Sequence, residues 1–291
     1  MRSDVEQFEL VAPPSLGSVL AQLAADPGKH TPIAGGTELM VALAAGRLQQ
    51  RSLVSIHHLH ELRFIRVESD AIHIGSGTTF TDIRRSAAIA EHLPLMVQSA
   101  SWTGSVANQN RGTLGGNICN ASPAADTPPT LLAYGSSVTL VSSSGTRTMP
   151  YAEFHLGYKR TALRPDELLH TVSVPLGFDG YRQYIRKVGT RNAQAIAKVA
   201  LAGLAKIEEG RIADIRLGAA SLADRPVRCS AAESALMGQP IEASSLEATI
   251  RAGRAALASE AKPIDDIRST ARYRGVVGGN LLEEFLRSLA E

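Results

Sequence analysis

The spacing of apolar residues changes several times along the chain. The apolar run "FELV" meets Pro13-Pro14 and gives way to Leu16, Val19, Leu20 and Leu23, spaced for one face of a helix that closes near Pro27-Gly28. "TPIA" resumes as a strand, Thr37 stands where it can cap a helix reaching about Ala45, and "SLVSI" supplies another strand. This alternation predicts a small α/β unit over residues 1–56. Over residues 57–177 the texture shifts. "RFIRVESDAIHIGSG" alternates about a Ser-Asp turn and "SSVTLVSSSGTRTMPY" about Ser144-Gly145, predicting antiparallel hairpins. Helices are expected at 81–90 and 95–103, followed by a long glycine-rich loop, and "DELLHTVSVP" makes one more strand that Pro175 ends. Over residues 178–291, "YRQYIRK", "AIAKVALAGLAKI" and "RIADIRLGAA" predict a three-stranded antiparallel sheet followed by helices. Ser230 with Glu233, and Ser244 with Glu247, match a capping-box pattern, and a last helix near 273–289 is weakened at Gly278-Gly279.

Composition narrows the possible chemistry. With 30 basic and 28 acidic residues among 291, the formal charge of +2 and the lack of a dense Lys/Arg run exclude a strong nucleic-acid footprint. The two cysteines, Cys119 and Cys229, lie far apart, so the chain cannot build a disulfide framework or a complete zinc or iron–sulfur site, and no metal ligands are assigned. The cluster His57-His58-His60 reads as a surface loop, and Arg111 and Arg191 as solvated or paired. No run of about eighteen apolar residues occurs, which predicts no membrane span, and an amino terminus without an apolar signal segment makes the cytoplasm the expected compartment.

Two glycine stretches concentrate the candidate chemistry. In "TPIAGGTELM", a strand, a Gly-Gly turn and a helix start place backbone N–H groups where an anion can approach without meeting a Cβ, and Thr37 adds a hydroxyl. Neither the G-x-G-x-x-G nor the G-x-x-x-x-G-K-[ST] fingerprint is present. In "TLGGNICNASPAADTPP", Thr113, Asn117, Asn120 and Ser122 offer short polar groups, Gly115-Gly116 offer bare amides, and Asp126 can accept from paired hydroxyls. Asn and Ser also form local turn bonds, the commoner use of these residues. Pro123, Pro128 and Pro129 stiffen the loop. Two such loops, 80 residues apart from Gly35 to Gly115, suit a ligand bearing a diphosphate and hydroxyls, such as a dinucleotide.

"AGGTEL" followed by "GTLGGNICNASPAADTPP" resembles the paired signatures of the FAD-binding medium subunit of molybdenum hydroxylases, the xanthine dehydrogenase and carbon monoxide dehydrogenase type. The resemblance continues in order through "LVSIHHLHELRFIR", "IHIGSGTTFTDI", "ELLHTVSVP" and "STARYRGVV", covering nearly the whole chain. It implies an α+β, two-subdomain FAD-binding fold of the PCMH/VAO type. The subdomains are residues 1–56 and 57–177, and a C-terminal flavoprotein domain of sheet and helices spans 178–291. It further implies that Ile33, Ala34, Gly35, Gly36, Thr37 and Glu38 wrap the FAD diphosphate. Beside a diphosphate, the Glu38 carboxylate is expected to bond amides at the helix start rather than phosphate. By the same resemblance Thr113, Gly116, Asn117 and Asn120 complete the cradle, Asp126 holds cofactor hydroxyls, Ala107 lies near the flavin, and Leu169 meets the adenine or ring region. Lys198 falls near the isoalloxazine, where a cation favours the anionic reduced ring; its alternative is a strand lysine facing water. Some relatives carry an aromatic residue over the flavin where this chain has Ile196.

The implied function is electron transfer, with no catalytic side chain. The molybdenum cofactor and [2Fe-2S] clusters reside in a large and a small partner subunit, the assembly is a dimer of heterotrimers, and electrons leave FAD for NAD+, oxygen or a quinone. Two alternatives stand beside it. One is a self-contained flavin oxidoreductase of the same superfamily using Ser105, Tyr151 or Tyr158 as proton donor, and the other is a non-catalytic scaffold subunit.

Overall fold

The structure, a computed structural model, describes residues 5–290. The first three strands are β1 (Glu9–Val11), β2 (His30–Ile33) and β3 (Ser52–Ser55), and they form a parallel sheet in the order β1-β3-β2. Helix α1 (Leu16–Ala25) starts at Ser15, whose hydroxyl accepts from the Ser18 amide, and it buries Val19, Leu20 and Leu23. The amino ends of the strands are tied by polar side chains: Ser52 Oγ donates to Glu9 at 3.0 Å and lies 2.8 Å from His30 Nδ1. Their carboxyl ends lead to the first glycine stretch and to α2 (Leu39–Ala44), which Gly46 ends at φ +66°.

The middle region is built on a five-stranded antiparallel sheet. Hairpin β4 (Ile65–Val67) and β5 (Ala71–Gly75) lies at one side, hairpin β6 (Ser137–Ser142) and β7 (Gly145–Pro150) at the other. A small hairpin, β8 (His155–Gly157) and β9 (Arg160–Thr161), precedes β10 (Leu168–Pro175), which closes the sheet in the order β4-β5-β10-β6-β7. The inward residues Ile72, Ile74, Val138, Leu140, Val172 and Val174 alternate along their strands and share one core with helices α3 (Phe80–Arg85), α4 (Ala87–His92), α5 (Pro94–Trp102), α7 (Leu114–Cys119) and α8 (Pro128–Ala133), while the polar α6 (Val106–Arg111) packs beside α3 outside that core. The single helix expected over 81–90 is two, because Ser86 leaves the helical conformation at ψ 116° and caps the second through the Ile89 amide.

The last sheet has the three expected long strands, β11 (Arg182–Val188), β12 (Val199–Glu208) and β13 (Arg211–Ala220), and a two-residue edge strand, β14 (Val227–Arg228). Glu209-Gly210 turn β12 into β13 with both residues at positive φ. The helices that follow are α9 (Ser230–Leu236), α10 (Leu246–Glu260) and α11 (Ala271–Leu289). Neither capping box forms. Glu233 instead accepts from the Leu217 amide at 2.7 Å and from Arg228, Glu247 reaches Arg287, and the first amides of α9 are met by Glu260 of α10. Tertiary partners outcompete the local cap at both sites. Helix α11 also runs unbroken through Gly278-Gly279, which the core uses for close approach: a Cβ at Gly278 would stand 3.0 Å from Leu222.

Phe285 of α11 is fully buried, stacks on Tyr184 at 5.2 Å between centroids, and lies against Gly203, where a Cβ would strike the ring. Phe285→Ala is expected to lower stability by about 3–5 kcal/mol, read from urea unfolding. Gly275 of the same helix has open space at its Cβ, so Gly275→Ala is expected to raise stability by about 0.5–1 kcal/mol in that assay.

Candidate functional site

The first glycine stretch leaves the carboxyl end of β2, where ligands of open α/β sheets commonly lie. The Ile56 amide donates to Ile33 at 3.0 Å, and the chain then reverses at Gly36, φ +74°. Gly35 is pressed against the second stretch: a Cβ there would collide with the Arg111 carbonyl and lie 3.0 Å from Gly112 Cα. The two sequences, 80 residues apart, therefore form one joint. Glu38, not Thr37, occupies the N-cap of α2 and makes no side-chain cap bond. The turn at Gly36 moves the helix start on by one residue, and the Glu38 carboxylate lies 3.9 Å from Lys159 Nζ instead of bonding amides.

The second stretch is helical where a loop was expected. Ser105 caps α6 with Asn108, Thr113 caps α7 by accepting from the Gly116 amide at 3.0 Å, and Pro128-Pro129 occupy the first turn of α8. The Gly115 amide donates to Ser76 at 2.8 Å, so neither glycine amide is bare; a Cβ at Gly115 would lie 2.8 Å from that carbonyl oxygen. The asparagines keep donor capacity. Asn117 Oδ1 accepts from Thr127 at 2.7 Å and Asn120 Oδ1 from Lys159 at 2.8 Å. With each oxygen engaged, both half-buried Nδ2 groups are donors without a protein partner among the described residues.

Asp126 sits deeper. Its Oδ2 accepts from Lys187 at 2.8 Å, while its Oδ1 is buried and has no partner. Lys187 also donates to the Trp102 carbonyl at 3.0 Å. Burial lifts the Asp126 carboxyl to about 6 despite the adjacent ammonium, because loss of water disfavours the charged form more than Lys187 favours it. Of the other expected residues, Ala107 is exposed on α6, Leu169 is 4% exposed within the central core, and Lys198 is half-buried with its ammonium 5.2 Å from the Tyr273 ring centroid. Ile196 is exposed.

Lys187 and Lys159 escaped the sequence reading. Lys187 lies two residues beyond buried Ile185 on β11, a core-facing register that marks a charged residue as unusual. Lys159 stands in a hairpin at φ +55° and left no comparable signal.

The arrangement offers donors to an anion or carbonyl and one buried acceptor to an N–H or O–H. It does not make a nucleophile: the Cys119 thiol beside it is pushed up to about 12 by burial. A concavity of about 560 Å³ lies elsewhere, on the outer face of the five-stranded sheet. Its groups largely satisfy one another: His73 with Ser173, His170 with Thr171, and Thr139 with Thr148.

Residues 6–177 match the family described as the FAD binding domain in molybdopterin dehydrogenase, and residues 184–289 match the CO dehydrogenase flavoprotein C-terminal domain. The chain belongs to the FAD-binding subunits of the molybdopterin dehydrogenases. It is 32% identical over 230 residues to the xanthine dehydrogenase FAD-binding subunit of Escherichia coli O157:H7, covering 78% of each chain. It is 30% identical over 269 residues to the glyceraldehyde dehydrogenase medium chain of Sulfolobus acidocaldarius, covering 92% of this chain and 93% of that one. In three dimensions it is similar to a chain of the carbon monoxide dehydrogenase from Hydrogenophaga pseudoflava that lacks the Mo-pyranopterin moiety of its cofactor, with a TM-score of 0.90, 28% identity, and 96% and 95% of the two chains covered.

Its cofactor is FAD, it is an oxidoreductase subunit, and molybdenum chemistry belongs to a partner chain in this family. The residues fit that cofactor. A dinucleotide with phosphate and carbonyl acceptors and N–H and O–H donors complements two unpartnered amide donors and a buried, unpartnered carboxylate oxygen. Gly35→Ala, which forces the joint open, is expected to lower both the thermal midpoint and the flavin absorbance per chain after purification. Gly17→Ala, with nothing within 4 Å of its Cβ, should leave both unchanged or slightly raised.

Proposed function

We propose that this chain is the electron-transfer subunit of a molybdenum hydroxylase, taking electrons from iron–sulfur clusters of a small partner subunit and passing them to an external acceptor such as NAD+, oxygen or a quinone. It works in the cytoplasm beside a large molybdenum-cofactor subunit, in a dimer of heterotrimers. The observation that supports this best is the joint at Gly35 between the two glycine stretches, the second of which carries the unpartnered Asn117 and Asn120 amide donors and the unpartnered Asp126 acceptor. Bound FAD supplies a two-electron carrier that can also be loaded one electron at a time.

In this reading the chain's own residues position and tune. Ile33 to Glu38, with Gly36 at positive φ, would form the diphosphate turn, Thr113, Gly116, Asn117 and Asn120 would form the opposite wall, and Asp126 would accept from the cofactor through its unpartnered Oδ1 while Lys187 holds Oδ2. Ala107 and Leu169 border the cradle. Lys198 approaches from the start of the third sheet, with Tyr273 limiting its freedom. The self-contained oxidoreductase has less support, because Ser105 is engaged in capping α6 and Tyr151 is buried 2.9 Å from His155 Nε2.

Purification of the complex from its native host tests the assembly. A large and a small subunit with molybdenum and iron alongside one FAD per medium chain are expected, and a flavin-loaded chain without them would count against the proposal. For the site, Asn117→Leu removes a donor and fills the cradle, so a loss of most bound FAD is expected and full occupancy would exclude the second stretch. The affinity should also depend on pH. Ionised Asp126 is the better acceptor, so binding lowers its pKa from about 6 and releases a proton. FAD affinity is therefore expected to fall by up to about tenfold per unit as the pH drops below 6, and Asp126→Asn to flatten that limb in a fluorescence titration.

A further inference from the structure

Two of the residues in the cofactor cradle share one cation that neither glycine stretch contains. Lys159 donates to Asn120 Oδ1 at 2.8 Å and lies 3.9 Å from the Glu38 carboxylate, so it links the middle of the second stretch to the first. It does so from the β8–β9 hairpin, at φ +55°, a conformation that a lysine seldom adopts. The hairpin is not sealed into the core at this point, since neighbouring Tyr158 is exposed.

We infer that Lys159 is a positioning and charge-recognition residue for the diphosphate portion of the dinucleotide, an inference that rests on the cofactor site proposed above. Two consequences of its geometry support this. Its bond to Oδ1 fixes the orientation of the Asn120 amide and leaves Nδ2 as the donor, the polarity that a phosphate or carbonyl oxygen needs. Its charge is also incompletely matched. Partial burial disfavours the ammonium more than Glu38 favours it, so the Lys159 pKa is lowered, and a further anion nearby would restore the balance. The same charge offsets the repulsion that Glu38 presents to a diphosphate, which gives this acidic residue a place in the cradle. Lys187 is excluded from this task because it already pairs with Asp126.

The test compares FAD with riboflavin, which has the isoalloxazine but no diphosphate, on the full-length apoprotein by quenching of flavin fluorescence at low and high salt. Lys159→Met keeps the aliphatic stem and removes the charge. It is expected to weaken FAD binding by about tenfold and flatten its salt dependence, with riboflavin affinity changed by less than about twofold. Lys159→Arg should restore most of the affinity and the salt dependence. FAD affinity and salt dependence unchanged in Lys159→Met, with wild-type protein binding FAD, would overturn the inference and leave the cofactor site standing. An equal loss for FAD and riboflavin would overturn it in favour of a packing role, and a salt dependence removed by Arg111→Met but not by Lys159→Met would assign the charge to Arg111. Wild-type protein that binds no FAD would remove the site and the inference together.

Discussion

The contact of bare backbone at Gly35 with the Arg111 carbonyl is the constraint on which the rest of the site depends. At this contact a parallel sheet of three strands meets a helical layer that belongs to a separate antiparallel sheet. A methyl group at Gly35 would hold the two layers apart, and with them the Glu38 and Lys159 charges that face each other at 3.9 Å. Gly115 acts similarly one step further in, against Ser76 at the end of β5. Glycine in these stretches therefore serves the close approach of one chain segment to another as much as exposure of amides to a ligand.

The second constraint is electrostatic. Lys187, Asp126 and the Trp102 carbonyl form a buried set drawn from β11, the turn before α8 and the end of α5. A pair so far from water adds little stability over an apolar one, but removing either partner leaves a stranded charge. Its value lies in geometry, because it fixes one carboxylate oxygen and leaves the other free. Ser221, at φ +64°, reinforces the same region by donating its amide to Pro123 and its hydroxyl to Ala197, tying the third sheet to the second stretch.

Much of this was legible in the residues. Alternation and turn chemistry located both hairpins of the middle sheet and the three long strands of the last one. What misled was chemistry that serves two purposes. Thr113 reads as part of a loop and Ser105 as a candidate proton donor, but both hydroxyls cap helices by accepting from amides three residues on. Pro128 and Pro129, expected to stiffen a loop, start a helix because a missing N–H is harmless in its first turn. Glu233 failed as a capping-box residue because the Leu217 amide and Arg228 reach it from β13 and β14, contacts that no local pattern encodes. Lys187 could have been found from its register beside Ile185, whereas the meeting of Lys159 with Glu38 and Asn120 exists only once the chain has folded.

Helix α8 has all six of its residues buried, and its Pro129 carbonyl lies where a side chain at Gly218 of β13 would have to go. The helix follows directly from the second glycine stretch, but part of its packing surface belongs to the terminal domain. Exchange of that domain between relatives by recombination therefore cannot be neutral at an arbitrary junction. A donor domain would have to bring its own glycine at the matching point of the strand, so the two matched segments are coupled by packing across the boundary between them.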